Sequence, residues 1–416
     1  MENLPKQANL LLITGQDWGG AQSYVFDLAK EMKKRSMSVI VAAGAPKRGA
    51  RSSEHEAQST KRGVASGDIN NNHVNQNNHA NHGSDLGTRC KEAGIAFYEL
   101  KHMARDINPT ANLRATWELI KLFRALRPRA VHLNSSMMGA TGSLAATLCG
   151  VPKRIYCIGG WVFNEDLPKW KKTFYIWIEK VSAKWKDVIT VVHPGDEDLA
   201  KRLRIRPQKR LLTIPNGIDA VEFEKRLLTR EKAREILEIN PQAKIIGTIA
   251  NAYPPKNLFW YLDVCKMVHE TDRRIFFVII GEGPQFDELK RKRDALGAQN
   301  FIMLTGMRKD APTLYRAFDM FALPSSKEGM SITLLESMAA KVPIIATDVG
   351  ANRWMLGKNG GVIVPINKKI LAEEILELIS NPDKQKSLSA NAYNRLCENF
   401  TWDKTAESTL ALFTAF

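Results

Sequence analysis

Continuous apolar runs and amphipathic stretches alternate along the chain. Leu10-Leu11-Leu12-Ile13 has no polar break, which is the pattern of a strand covered on both faces, as in a parallel sheet. A glycine-containing turn from Gly15 to Gly20, a helical pattern from Ala21 to Arg35 and a second apolar run from Ser38 to Ala43 complete a β-α-β unit. The alternation resumes at Ile95–Leu100 and predicts strands at 130–133, 153–158 and 187–192, with helices near 113–126, 139–148, 169–185 and 196–203. A second series predicts strands at 245–250, 275–280, 301–304, 320–323 and 344–347, with helices near 257–269, 285–296, 310–318 and 331–340 and a last one at 402–416.

A chain of 416 residues exceeds one ordinary core. The pattern predicts an α/β protein of two doubly wound, Rossmann-like domains, 1–205 and 206–398, with a final helix at 399–416. Only 46–90 breaks the rhythm. It contains Asn71-Asn72, Asn77-Asn78 and four of the eight histidines (His55, His73, His79, His82), with few large apolar residues. Such a segment buries too little surface to offset its ordering entropy. It reads as a largely disordered polar insertion with solvated histidines.

Charge narrows the partners. Sixty Lys and Arg against 44 Asp and Glu give a formal +16, favouring anionic ligands or surfaces. No zinc-finger spacing, basic recognition helix or aromatic-basic RNA signature accompanies it, so nucleic acid is not expected. The five cysteines (Cys90, Cys149, Cys157, Cys265, Cys397) lack metal-ligand spacing, so free thiols in a reducing, cytoplasmic setting and no metal are expected. Residues 1–7 lack a basic region followed by an apolar one, and no window reaches the roughly 20 apolar residues of a spanning helix. In 161–186, however, Trp161, Phe163, Trp170, Phe174, Tyr175, Trp177 and Trp185 interleave with Lys171, Lys172, Lys180, Lys184 and Lys186. That mixture suits either the headgroup zone of a membrane or a core helix with a solvated basic face.

Four segments of the second half carry the chemistry. Asn251 to Asn257 follows a strand and puts Lys256 at the carboxyl edge of the sheet, where open α/β sheets bind ligands. Gly281-Glu282-Gly283-Pro284 is a tight turn after another strand. Gly306-Met307-Arg308 could offer backbone to a flat base and a guanidinium to phosphate. The fourth, Pro324 to Ala339, runs from strand end to helix start. N–H groups at such a start, with the helix dipole, suit a diphosphate. Glu328 precedes the helix and Glu336 lies within it, and carboxylates accept strong hydrogen bonds from sugar hydroxyls.

These residues resemble the retaining GT-B glycosyltransferases of family 4. The resemblance rests on Glu328-x7-Glu336, Ile214-Pro215-Asn216-Gly217-Ile218-Asp219, Gly281 to Pro284, Pro343 to Gly350, and Gly19-Gly20-Ala21-Gln22. It implies a GT-B fold whose final helix crosses back to the first domain, donor in the cleft, acceptor on the first domain, and no catalytic metal or other cofactor. It places Glu328 on the donor sugar, Lys256 on the diphosphate, Glu336 on the ribose, and Met330, Ser331 and Ile332 N–H groups on phosphate and sugar beside Gly329. It further implies that Gly19 and Gly20 approach the diphosphate, with Asn251, Gly306, Met307 and Arg308 completing the donor site. Asn251 stands where the family has an arginine, with Arg308 and Arg353 as candidate substitutes, and Trp354 where it often has a glutamate. Asn134 stands where a histidine near the reacting carbon is common, with His132 two residues earlier, and Ile158-Gly159-Gly160-Trp161 lacks a second one. His132 and Asn134 are thus the remaining catalytic candidates, His132 with an alternative as a core histidine. The implied activity moves a sugar from a UDP- or GDP-linked donor to a sugar or lipid-linked acceptor, peripheral to the inner leaflet. The departures carry the alternatives: a silent binding protein of this fold, or a phosphorylase or epimerase.

Overall fold

Alternate residues of the apolar runs go to opposite faces. Leu10 and Leu12 belong to one buried cluster and Leu11 and Ile13 to another, and Ile344 and Ile345 divide in the same way. The computed structural model describes residues 4–16, 19–44, 86–103, 109–165 and 167–414. The first series is β1 (Asn9–Ile13), α1 (Gly20–Lys34), β2 (Val39–Gly44), α2 (Leu86–Glu92), β3 (Ala96–Leu100), α3 (Pro109–Leu126), β4 (Ala130–Asn134), α4 (Ser136–Leu148), β5 (Lys153–Ile158), α5 (Lys169–Ala183), β6 (Val188–Val191), α6 (Pro194–Arg202) and β7 (Arg210–Thr213). The second begins α7 (Ala220–Arg226), α8 (Arg230–Ile236), β8 (Lys244–Ile249), α9 (Leu258–Thr271), β9 (Ile275–Ile280), α10 (Phe286–Ala295) and β10 (Ile302–Gly306). It continues β11 (Met320–Leu323), α11 (Ile332–Ala339), β12 (Ile344–Thr347), α12 (Asn352–Leu356), β13 (Val362–Val364), α13 (Lys368–Ile379), α14 (Pro382–Asn399) and α15 (Trp402–Thr414).

All strand pairs within the two sheets are parallel. Their orders are β3-β2-β1-β4-β5-β6-β7 and β10-β9-β8-β11-β12-β13. Each order reverses once, between β1 and β4 and between β8 and β11, and the crevice at such a switch point is where doubly wound sheets take ligands. The expected two-domain α/β architecture is therefore present.

Three expectations change. β7 hydrogen-bonds to β6 in register Val188↔Arg210, so the first sheet runs past the boundary drawn at 205. Residues 86–92, placed partly in the polar insertion, form α2 with Leu86 and Cys90 buried; the stretch 45–85 lies outside the described residues. The helix drawn at 310–318 is two short 3-10 turns, Ala311–Thr313 and Tyr315–Ala317.

The chain crosses between the two halves twice. Ile218 N donates to Phe400 O (3.0 Å), Trp402 N to Ile218 O (3.1 Å) and Thr405 Oγ1 to Pro215 O (2.8 Å). A Cβ on Gly217 would meet the Thr401 carbonyl, which explains the glycine. Beyond this clasp α15 lies on the first domain: Tyr24 Oη is 3.2 Å from Thr409 Oγ1 and Lys153 Nζ donates to Phe413 O (2.7 Å).

Candidate active site

Both switch points open into one cleft. α1 starts at its edge of the first sheet and α11 at its edge of the second. A Cβ on Gly20 would stand 3.1 Å from Ile332 Cγ1, so the two helix starts face each other closely. Gly19, the α1 cap residue, has extended backbone and no side-chain cap. Ser331 caps α11, its Oγ accepting from Leu334 N at 3.4 Å. Two converging helix N-termini concentrate free N–H groups and positive dipole ends, the arrangement that holds a diphosphate.

Lys256 ends a short turn, Pro254–Lys256, just past β8. Pro255 O accepts from Ser326 N (2.8 Å), which fastens that turn to the loop after β11. The fastening brings together residues 72 apart: Lys256 Nζ donates to Glu328 Oε1 at 2.7 Å, and Ser325 Oγ donates to the same oxygen at 2.6 Å. Glu328 is 7% exposed and Lys256 28%. The first domain closes on this loop directly. Gly329 sits so close to Gly159 that a Cβ would strike its carbonyl oxygen, Asn216 N approaches Met330 Sδ at 3.2 Å, and Lys327 Nζ reaches Glu165 Oε1 at 3.1 Å.

Glu336 accepts a hydrogen bond from Tyr315 Oη at 2.7 Å. Desolvation raises its pKa from 4.5 to about 7, against the lowering effects of that hydrogen bond and of Arg226. The neutral acid favours the fold, so this stabilising contribution is complete below the ordinary 4.5, declines as pH rises and is lost above about 7. Glu336→Gln is expected to flatten the stability curve over that window, measured by urea midpoints at pH 4.5, 6 and 8.

Other candidates stand differently. Asn251 is exposed at the end of β8 and Met307 is 70% exposed beside Gly306, whose φ is +73°. Arg308 is turned onto Asp310 (2.9 and 2.7 Å) and Arg353 onto Asp348 (2.9 and 2.7 Å). Neither substitute for the absent arginine is a free cation. Trp354 is half-buried and packs edge-on against Phe400 at 5.0 Å.

His132 takes its alternative role as a core histidine, with Asn134 buried beside it. Both point to the α15 side of β4 and are buried. The His132 ring stacks on Phe413 at 5.9 Å, beside Tyr24 at 6.0 Å. Burial pushes its pKa down to about 3, so it is neutral at ordinary pH. Asn134 Nδ2 donates to Leu12 O (3.2 Å) and lies 3.0 Å from His132 Nδ1, tying β4 to β1. The strand period of two puts both on one face of β4, where Phe413 closes off the His132 ring. The histidine that does reach the cleft was not singled out: His193, at the end of β6. With Trp161, Asn164 and Asp196 it lines a cavity of about 380 Å³, completed from the second domain by Lys327 and Glu328.

Residues 19–217 match the family model described as glycosyl transferase 4-like domain, and residues 229–395 that of glycosyl transferases group 1. Both halves of the chain are glycosyltransferase domains. Among curated proteins, the glycosyltransferase is 25% identical to the Escherichia coli UDP-Gal:alpha-D-GlcNAc-diphosphoundecaprenol alpha-1,3-galactosyltransferase over 343 residues, 79% of this chain and 88% of that one. It is 22% identical to the Staphylococcus aureus capsular polysaccharide biosynthesis glycosyltransferase CapM, over 80% of this chain and 89% of that one. Its fold matches Anabaena HepE, solved with UDP and glucose, at TM-score 0.75 and 15% identity over 99% of this chain and 100% of that one. The lipopolysaccharide glycosyltransferase WaaG matches at TM-score 0.71 and 14% identity, covering 98% of this chain and 100% of that one. The GT-B fold expected from the sequence is thus shown.

Proposed function

We propose that the glycosyltransferase moves a hexose from a UDP-sugar, with retention, to a sugar carried on a diphosphate-linked lipid. The observation that carries this reading is the meeting of Lys256, Glu328 and the α1 and α11 starts in one cleft. The relative named for UDP-Gal and a diphosphoundecaprenol acceptor, similar over 88% of its length, supports the substrate class. In this reading Lys256 leaves Glu328 for the diphosphate, and helix N–H groups from Gly20 and from Ser331 and Ile332 share its charge. Charge developing on the leaving diphosphate then meets preset donors, which lowers the barrier. Glu328, released, accepts hydroxyls of the transferred sugar, and Glu336 accepts those of the ribose. The departing phosphate oxygen takes the acceptor proton on the same face that the acceptor attacks, which gives retention without a metal or other cofactor.

α5 supplies the membrane contact in this proposal. Among the aromatics and lysines of 161–186, Trp161 and Phe163 are buried and Lys186 is interior, bonded to Glu179 Oε2 at 3.0 Å. Those contacts anchor α5 and leave Trp170, Phe174 and Trp177 on one outer face, 67%, 46% and 59% exposed. Lys169, Lys171 and Lys180 flank them and are exposed. Trp117, 55% exposed on α3, lies across α4 from α5. Aromatic rings among lysines fit the headgroups of an anionic leaflet, here the cytoplasmic one. No helix among the described residues is long and apolar enough to cross a membrane.

The test is transfer of radiolabelled galactose from UDP-galactose to N-acetylglucosamine diphosphate on an alkyl chain, with nuclear magnetic resonance of the product to read the anomeric configuration. Donor turnover without an acceptor product, or an inverted product, would overturn the reading. For the membrane contact, the triple change Trp170→Ser, Phe174→Ser, Trp177→Ser is expected to weaken sedimentation with phosphatidylglycerol vesicles by at least about tenfold. Equal binding by both proteins at low salt removes α5 from the account.

A further inference from the structure

The first-domain wall of the cavity contains a polar atom the donor reading leaves unused. Asp196 is 3% exposed, and its Oδ2 has no hydrogen-bond partner among the described residues. His193 Nε2 stands 3.2 Å from that oxygen but out of line for a hydrogen bond. The other oxygen, Oδ1, is 3.5 Å from Asn164 Nδ2. Trp161 Nε1 donates to the Asp196 backbone oxygen at 3.1 Å and holds the residue in place. A buried carboxylate oxygen without a hydrogen bond is costly unless something donates to it.

Three residues apart along α6, Asp196, Leu199 and Arg202 make the stripe that faces this cavity. Leu199 gives the stripe an apolar middle. Arg202 ends it with an exposed guanidinium that carries no ion pair among the described residues. From Asp196 to Arg202 the helix rises about 9 Å, the reach of a pyranose ring and a phosphate on its anomeric carbon. Opposite lies Glu328, the residue assigned above to the transferred sugar.

We propose that this stripe is the acceptor subsite: Asp196 Oδ2 accepts from a hydroxyl of the acceptor sugar, Leu199 meets its C–H face, and Arg202 takes the phosphate attached to it. The inference rests on the glycosyl-transfer reading of the cleft. It defines the acceptor chemically as a phosphorylated sugar, with a hydroxyl at one end and a dianionic or diphosphate group at the other.

Asp196→Asn keeps shape and replaces the acceptor oxygen; Arg202→Gln removes the charge. With UDP-galactose as donor, three acceptors are compared: N-acetylglucosamine 1-phosphate, its alkyl diphosphate and the neutral methyl glycoside. Asp196→Asn is expected to raise KM for all three by about tenfold or more, and Arg202→Gln to do so for the two phosphorylated ones only. UDP affinity by calorimetry is expected to stay within about twofold in both, which a merely structural lesion would not allow. In the wild-type protein, a lower KM for the alkyl diphosphate than for the 1-phosphate identifies the lipid-linked source, and the reverse order the soluble one. Unchanged KM in both variants, or UDP affinity falling in step, overturns the subsite. If the wild-type protein transfers to none of the three, the functional proposal fails separately. The subsite is then read from calorimetry of N-acetylglucosamine 1-phosphate against UDP-loaded protein, where no binding, or equal binding by both variants, overturns it.

Discussion

Lys256→Ala is expected to lower kcat/KM for galactose transfer by about 10²–10³, the loss that follows removal of one preset donor from a developing oxyanion. The fold should survive, because Lys256 is part-exposed and Glu328 keeps the Ser325 hydroxyl at 2.6 Å. Lys256→Arg sharpens the test. A guanidinium can grip Glu328 with two parallel hydrogen bonds, so it should be slower to leave for the diphosphate and restore only part of the rate. Stopped assays over a range of UDP-galactose give kcat and KM separately. Activity within about threefold of wild type in Lys256→Ala would remove the residue from the transition state.

Gly329→Ala should be nearly as damaging, for a reason unrelated to charge. The added methyl would collide with the Gly159 carbonyl of the other domain, and Gly329 O is fixed by Ala351 N at 2.9 Å. The domains must then separate at the point where, in the proposed function, donor and acceptor meet. Misplacing reacting groups by about 1 Å costs on the order of 10²-fold in rate. The expected signature is a low kcat with UDP affinity and urea midpoint close to wild type. A parallel loss of all three would mean that the glycine serves folding rather than closure.

The strands were legible because both faces of each sheet are covered, so the code is simply uninterrupted apolar residues. The loop and helix from Pro324 to Ala339 were legible because their chemistry is local: the helix start, Glu328 and Glu336 lie within a few turns. Partners were harder to foresee. Arg308 is neutralised by Asp310 and Arg353 by Asp348 through contacts that spacing permits without requiring. Spacing leaves His132 either a catalytic or a core role, and its ring is closed off by Phe413, 281 residues along the chain. His193 and Asp196 lie at the start of a helix, α6, and only the packing of the second domain over them makes a cavity.

The returning helix α15 has a consequence for biosynthesis. Leu410, Leu412 and Phe413 share a buried cluster with Leu11, Val25 and Leu28. When Thr213, the end of the last strand of the first sheet, is added to the chain, Phe413 is still 200 residues from being made. At about 5–20 residues per second, that surface waits roughly 10–40 s for its cover. The domain made first is therefore finished last, and the nascent chain carries a greasy, open flank through about the second half of its translation.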